Sequence, residues 1–180
     1  TNSGAGSASI LNLTTSPPSV TTSVTVGSEP MGVAIDERTG NAVVANASSN
    51  SISIFNAASG GAVQAVSVDA RPVAVAIDPD RQFAAVANAA SNTLAVVNLT
   101  SLSIIGRVPN VFLPTAVVFD PVTEIFVSNS SLGNALVLVN PDTLQASAAR
   151  VGINPTSIAY NFNSSTLVTV NTASKSISVM

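Results

Sequence analysis

The chain has no cysteine, no histidine, no tryptophan and a single tyrosine. Without cysteine, disulfide stapling and thiol chemistry are excluded, but the compartment stays open, since a large β-protein can be extracellular without disulfides. Without histidine, the commonest catalytic base and transition-metal ligand is missing. Charge is scarce too: 8% of residues, against roughly 25% in an average soluble protein. Six basic residues stand singly against nine acidic ones, for a net charge of −3. No basic patch is left to neutralise phosphates, which argues against a nucleic-acid partner. No apolar run approaches the ~20 residues of a membrane-spanning helix. No signal peptide is visible and the chain opens at Thr1, so it is expected to be a processed or excised piece, with any targeting segment already gone.

What is present is Val, Ala, Ile and Leu on one side and Ser, Thr and Asn on the other, with 46% hydrophobic and 4% aromatic residues. β-Branched residues in this proportion favour strands. A surface of hydroxyls and amides suits an exported protein, placed outside the cell, at its surface or in the periplasm. The dominant pattern is a long repeat. Pro30, Pro72, Pro114 and Pro155 recur at intervals of 42, 42 and 41 residues. Asp36, Asp78, Asp120 and Asn161 follow each proline by six residues. Asn46, Asn88, Asn129 and Asn171 keep nearly the same period, as do Asn56, Asn98 and Asn140. A period of this length marks stacked supersecondary units.

Within residues 30–71 the apolar runs are 31–35, 42–45, 51–55 and 62–68, separated by short polar turns. Residues 51–55 alternate polar and apolar, the period of a strand with one face in a core. Gly, Pro and Asn interrupt too often for helices. Each unit is therefore expected to be one four-stranded antiparallel sheet. Such a sheet buries its two apolar faces only by stacking on neighbours, which is the β-propeller arrangement. The predicted fold class is all-β, a propeller with about four blades present, forming a segment of a larger propeller of about six to eight blades, with a closed four-bladed disc carrying a displaced C-terminal strand as the alternative. The expected division is a half blade at 1–29, blades at 30–71, 72–113 and 114–154, and an incomplete blade at 155–180. The recurrent Asp and Asn residues are expected to close turns by binding backbone amides two residues on.

The second strand carries a further signature. The stretches Ala42-Val43-Val44-Ala45-Asn46, Phe83-Ala84-Ala85-Val86-Ala87-Asn88, Ile125-Phe126-Val127-Ser128-Asn129 and Leu167-Val168-Thr169-Val170-Asn171 each resemble the Tyr-Val-Thr-Asn core of the YVTN repeat family. The lead-in at Pro30 and Pro72 and the stretch from Ser91 to Asn98 fit the same family. The leading Tyr is absent from every copy. The resemblance implies a bacterial or archaeal propeller, often a surface-layer or exported repeat protein, and it implies no shared active site. WD-type repeats are disfavoured because their Trp and His are missing.

Chemistry has to come from what varies between copies. The residue before each lead proline is Glu29, Arg71, Leu113 and Asn154. These are the candidate binding residues, forming a rim on the upper face where the fourth-to-first and second-to-third connections lie; the competing reading is four solvated loop residues. The only carboxylate clusters, Asp36-Glu37 and Asp78-Pro79-Asp80, fall in turns on the opposite face, with Arg38 and Arg81 beside them as exposed partners. They lack the ligand density of a calcium loop, so no metal, no cofactor and no catalytic residue is assigned. Asn-x-Ser/Thr sequons stand at Asn12, Asn46, Asn98, Asn129 and Asn163. The expected function is a non-catalytic extracellular or cell-surface scaffold presenting loops to a protein or polysaccharide. The alternative is part of a propeller enzyme of the lactonase or sugar-dehydrogenase type, with most catalytic residues elsewhere. Self-association through open blade edges is a further expectation.

Overall fold

The computed structural model describes residues 1–180, and the chain folds into strands joined by tight turns. A two-stranded sheet of β1 (Ser7–Asn12) and β2 (Ser19–Thr25) comes first. Three four-stranded antiparallel sheets follow: β3 (Pro30–Ile35), β4 (Asn41–Asn46), β5 (Ser51–Asn56) and β6 (Gln64–Ser67); β7 (Pro72–Asp78), β8 (Phe83–Asn88), β9 (Thr93–Asn98) and β10 (Ser103–Pro109); β11 (Val117–Asp120), β12 (Ile125–Ser130), β13 (Ala135–Val139) and β14 (Ala146–Arg150). The last sheet has three strands, β15 (Pro155–Asn161), β16 (Thr166–Asn171) and β17 (Ser176–Val179). Every sheet runs in sequence order, and the first strands β3, β7, β11 and β15 pack against one another in turn.

The second strands show why the sequence is so rich in Val and Ala. A strand buried on both faces reads as a continuous apolar run, not an alternation. Along β4, Val43 faces the next sheet with Ile52, Val75 and Val86, while Ala42 and Val44 face the first sheet with Ala8 and Val24. Along β8, Ala84 and Val86 face back and Ala85 and Ala87 face forward. Along β12, Phe126 and Val127 divide the same way. Small and β-branched residues let these sheets pack face to face, and the one large ring fully buried is Phe126. The inter-sheet cores are unequal. They hold ten buried residues between the second and third full blades and nine between the first and second, but five and three at the outer junctions.

The turns repeat in conformation more strictly than in sequence. A residue with positive φ closes each first-to-second turn at Gly40, Gln82, Glu124 and Ser165. Another closes each second-to-third turn at Gly6, Asn50, Asn92, Asn134 and Lys175. Third-to-fourth turns use Gly60, Leu102 and Leu144. A type I turn ending in a left-handed residue matches the twist of an antiparallel pair. Only some copies use the Gly or Asn that this conformation favours. The expected Asx turns are present. Asp36 accepts from the Arg38 amide at 2.9 Å, Asp78 from the Asp80 amide at 3.0 Å and Asp120 from the Val122 amide at 2.9 Å. Asn56, Asn98 and Asn140 each accept two amides in the third-to-fourth turns.

Candidate functional site

Antiparallel order puts the second-to-third turns and the fourth-to-first connections at one end of every sheet, here the upper face. The four rim residues all sit there, one at the head of each blade. Each is left-handed, with φ of 52° at Glu29, 58° at Arg71, 50° at Leu113 and 57° at Asn154. Two sets of bonds hold them. The carbonyls of Glu29, Arg71 and Asn154 accept from the amides of Ala47, Ala89 and Thr172 in their own blade, at 2.8–3.0 Å. The amides of Arg71, Leu113 and Asn154 donate to the side-chain oxygens of Asn50, Asn92 and Asn134 in the preceding blade, at 3.0, 2.8 and 2.9 Å.

These three asparagines were not among the recurrent residues singled out from the sequence, although their 42-residue spacing was there to find. They join neighbouring blades across the upper face. Gly6 takes the corresponding place ahead of Glu29 and has no side chain to offer. The rim side chains themselves do not bond one another. Glu29 accepts from Ser48 at 2.5 Å and Asn154 donates to Thr172 at 2.9 Å, while the Arg71 side chain is exposed.

The second-strand asparagines have a related task. Asn46, Asn88, Asn129 and Asn171 are fully buried. Asn46 and Asn171 donate to two serines of the following strand, Ser51 and Ser53 or Ser176 and Ser178. Asn2 makes the same pair of bonds to Ser7 and Ser9. Asn129 does more: its oxygen accepts the Thr115 and Ala116 amides at 3.0 and 2.7 Å, and its nitrogen donates to the Pro155 carbonyl of the next blade at 2.7 Å. Burial also removes Asn46 and Asn129 from use as sequons, since a glycan needs an exposed amide. Asn163 is the sequon residue that stands exposed.

The lower face carries a polar lattice, in which the expected pairs form, Arg38 in an exposed one and Arg81 with Asp78 of its own turn, but both arginines reach the next blade and Arg81 is not exposed. Arg38 reaches Asp80 in the next blade, not its neighbour Asp36. Arg81 is three-quarters buried and holds Asp78 at 3.0 Å in its own turn, with Glu124 at 2.6 Å and Asp142 at 3.1 Å in the next blade. Gln82 donates to Asp36 at 2.7 Å, again between blades. Burial alone would raise the Asp36 pKa, but the bonds from Gln82 and Thr39 and from turn amides outweigh it and leave the carboxyl below its ordinary range. Asp120 behaves alike, with Thr123 and Tyr160 as the opposing side chains. Asp69, on the upper face, is held down against burial by Arg107 and Thr93.

A cavity of about 620 Å³ opens where the lower ends of the first strands converge. Val75, Ala76, Val117 and Phe119 form its wall, with Tyr160 and Phe162 at one side and Glu37 and Arg38 at the mouth. The Tyr160 hydroxyl is shut off from solvent and lies by the Asp120 carboxylate without a well-formed hydrogen bond. That carboxylate, with burial, holds the phenol above its usual pKa. None of the four rim residues lines this cavity.

No known family matches the chain, and no curated protein does. Solved structures do. A protein of unknown function from Desulfotomaculum acetoxidans superposes with a TM-score of 0.80 at 13% identity, covering 98% of this chain and 62% of that one. A streptogramin B lyase gives 0.75 at 11% identity, with the same coverages of 98% and 62%. The hydrazine synthase of Kuenenia stuttgartiensis gives 0.72 at 18% identity, covering 84% of this chain and 49% of that one. The fold is a β-propeller. At these identities the likeness speaks for the fold alone, and the chain spans about half to three-fifths of the length of these structures.

Proposed function

We infer that this chain is a non-catalytic display scaffold, an exported propeller whose upper-face loops engage a protein or polysaccharide. One observation carries the reading: four unlike side chains, Glu29, Arg71, Leu113 and Asn154, stand on one repeated backbone conformation. The bonds that recur along the rim use main-chain atoms and the neighbouring Asn50, Asn92 and Asn134 side chains; Glu29 and Asn154 each add one side-chain bond, to Ser48 and Thr172, and Arg71 and Leu113 add none, so the repeated frame does not depend on one side-chain type at the rim. A constant frame with variable tips is how rigid scaffolds support recognition. The buried lower carboxylates Asp36, Asp78 and Asp120 serve the fold instead, since they are engaged in turn closure. The likeness of the second strands to the YVTN repeat supports a surface or secreted setting, as does the scarcity of charge.

The test is a triple variant, Glu29→Asn, Arg71→Asn and Leu113→Asn, which gives every rim position the residue already accepted at position 154. It should keep its circular dichroism spectrum and lose binding to an array of cell-envelope polysaccharides and surface proteins that the parent retains. Undiminished binding by the folded variant would refute the assignment of the upper rim.

A further inference from the structure

The few charged residues of this chain are sorted by face. At the upper ends of the sheets lie Arg71, Arg107, Arg150 and Lys175 with Glu29 and Asp69. At the lower ends lie Asp36, Glu37, Asp78, Asp80, Asp120, Glu124 and Asp142 with Arg38 and Arg81. Four bases against two acids give the upper face +2, and seven acids against two bases give the lower face −5, which together make the chain's −3. Arg107 is paired with Asp69 at 2.7 Å, whereas Arg71, Arg150 and Lys175 are in no ion pair and project as free cations. Below, both arginines are already taken by carboxylates, and Glu37 has no partner.

Apolar exposure follows a second pattern. Just before the rim residue the copies carry Ser28, Ala70, Phe112 and Ile153. At the second-to-third turn they carry Ser48, Ala90, Leu132 and Ala173. At these two positions the copies are small in the first two repeats and carry large apolar groups at the third and fourth, where Phe112, Leu132 (70% exposed) and Ile153 stand out, while in the first repeat Met31 at the head of β3 is the exposed apolar side chain. The lower face of the same two repeats exposes Val122 and Phe162 (69%) in its first-to-second turns. Large apolar groups held in water on a frame that accepts Ser and Ala at the same places point to an interface.

We propose that the upper face docks onto the lower face of a second copy of this chain, so that copies stack head to tail through the third and fourth repeats. This rests on the upper face being the binding surface and names its partner. A second copy fits because one chain supplies both halves: an anionic face with Val122 and Phe162, and a cationic face with Phe112, Leu132 and Ile153. Opposite charge steers the two surfaces together and rejects like against like, upper on upper or lower on lower. A contact between two different patches at opposite ends of the blades repeats along one direction and does not close into a ring, so the product is an open stack and not a dimer. Exposed charges are screened over about 8 Å at physiological salt, so the association is salt-dependent.

The experiment is sedimentation velocity on the purified chain over a concentration series at low and high salt, with two variants checked for folding by circular dichroism. The parent is expected to form species that grow with concentration and shrink with salt. Arg150→Glu with Lys175→Glu makes the upper face anionic, and the variant should be monomeric. Its lower face is intact, so in excess it should cap the parent and reduce stacks to 1:1 pairs. Leu132→Ser places the first repeat's residue in the third and should weaken stacking about tenfold with all charges kept. A parent that is monomeric throughout overturns the proposal. So does association indifferent to salt and to the variants, the behaviour of pairing through open edge strands. If the monomeric parent still binds an envelope component through the rim, the stacking alone fails and the scaffold reading stands; if it binds nothing, both fail.

Discussion

Replacing Asn129 by Ala should destabilise the protein far more than the same change at Asn88, although both occupy the same place in the repeat and both are fully buried. Asn129 satisfies two backbone amides, Thr115 and Ala116, and reaches the Pro155 carbonyl and the hydroxyls of Thr115 and Ser131 at 2.6 and 3.1 Å. Pro155 keeps a second donor in Ser131 at 2.6 Å, so its carbonyl is not stranded. The Ala116 amide has no such reserve among these contacts. A lost bond is worth about 0.5–1.5 kcal/mol, and a stranded buried amide about 1–3 kcal/mol. The three backbone contacts together place Asn129→Ala at about 3–5 kcal/mol. Asn88 offers much less. Its nitrogen makes two long bonds, 3.2 Å to Val86 and 3.3 Å to Thr93, and its oxygen is buried without a partner. Deleting an unsatisfied acceptor returns part of what the bonds contributed, so Asn88→Ala should cost about 0–1.5 kcal/mol.

With no tryptophan in the chain, far-ultraviolet circular dichroism in urea is the suitable probe, comparing midpoints at matched slopes. Stacked blades need not unfold in one step, so amide exchange adds a local readout: Thr115 and Ala116 should lose protection in Asn129→Ala and keep it in Asn88→Ala. Equal losses of stability in the two variants, within about 0.5 kcal/mol, would show that the repeat position and not the bond inventory sets the cost.

Arg81→Ala should cost about 1–3 kcal/mol, because it strips the counter-charge from fully buried Asp78 and cuts the tie to Glu124 and Asp142, whereas Arg38→Ala, in an exposed pair, should change the urea midpoint by less than about 1 kcal/mol equivalent. Arg71→Gly should raise stability by about 0.5–1 kcal/mol, since left-handed backbone disfavours a side chain by ~1–2 kcal/mol and glycine's extra freedom when unfolded offsets part of that; a fall in melting temperature counts against backbone strain at the rim. Asp36, Asp69 and Asp120 have folded pKa values below the ordinary carboxylate range. Their contribution is thus fully present above about pH 4 and is lost as pH falls through the lowered values, and Asp120→Asn should flatten the acid limb of an unfolding-versus-pH curve.

Much of this architecture was legible in residue spacing, and the limits have identifiable causes. Proline, aspartate and asparagine recur because a turn position restricts chemistry: Asp36, Asp78 and Asp120 are the acceptors their spacing implied. Left-handed positions restrict chemistry less. Gly40, Gln82, Glu124 and Ser165 share one backbone state and no side-chain type, so that repeat is silent in sequence. The asparagines at 50, 92 and 134 were overlooked for a different reason. Their bonds run from the second-to-third turn to the connection that leads into the next blade, and spacing along one unit does not show which backbone amide a turn asparagine 21 residues away meets. Arg81 was misjudged on the same ground, because Glu124 and Asp142 lie 43 and 61 residues away. Local chemistry is visible one repeat at a time; contacts between repeats need the radial stack.

The same stack turns scarcity of charge into information. On a surface with the usual density of mixed charge, a small excess on one face is diluted by its neighbours. Here the charges occupy the two ends of the blades, and the middles of the strands carry none. With so few opposing charges in between, the two faces act as separate patches of opposite sign, about one strand length apart, roughly 17–20 Å. That distance exceeds the screening length in physiological salt, so each face meets a partner with its own sign and not with the chain's average. In the proposed stack a second copy is thus sorted by face before any side chain touches, and the apolar groups of the third and fourth repeats then decide where on that face it settles.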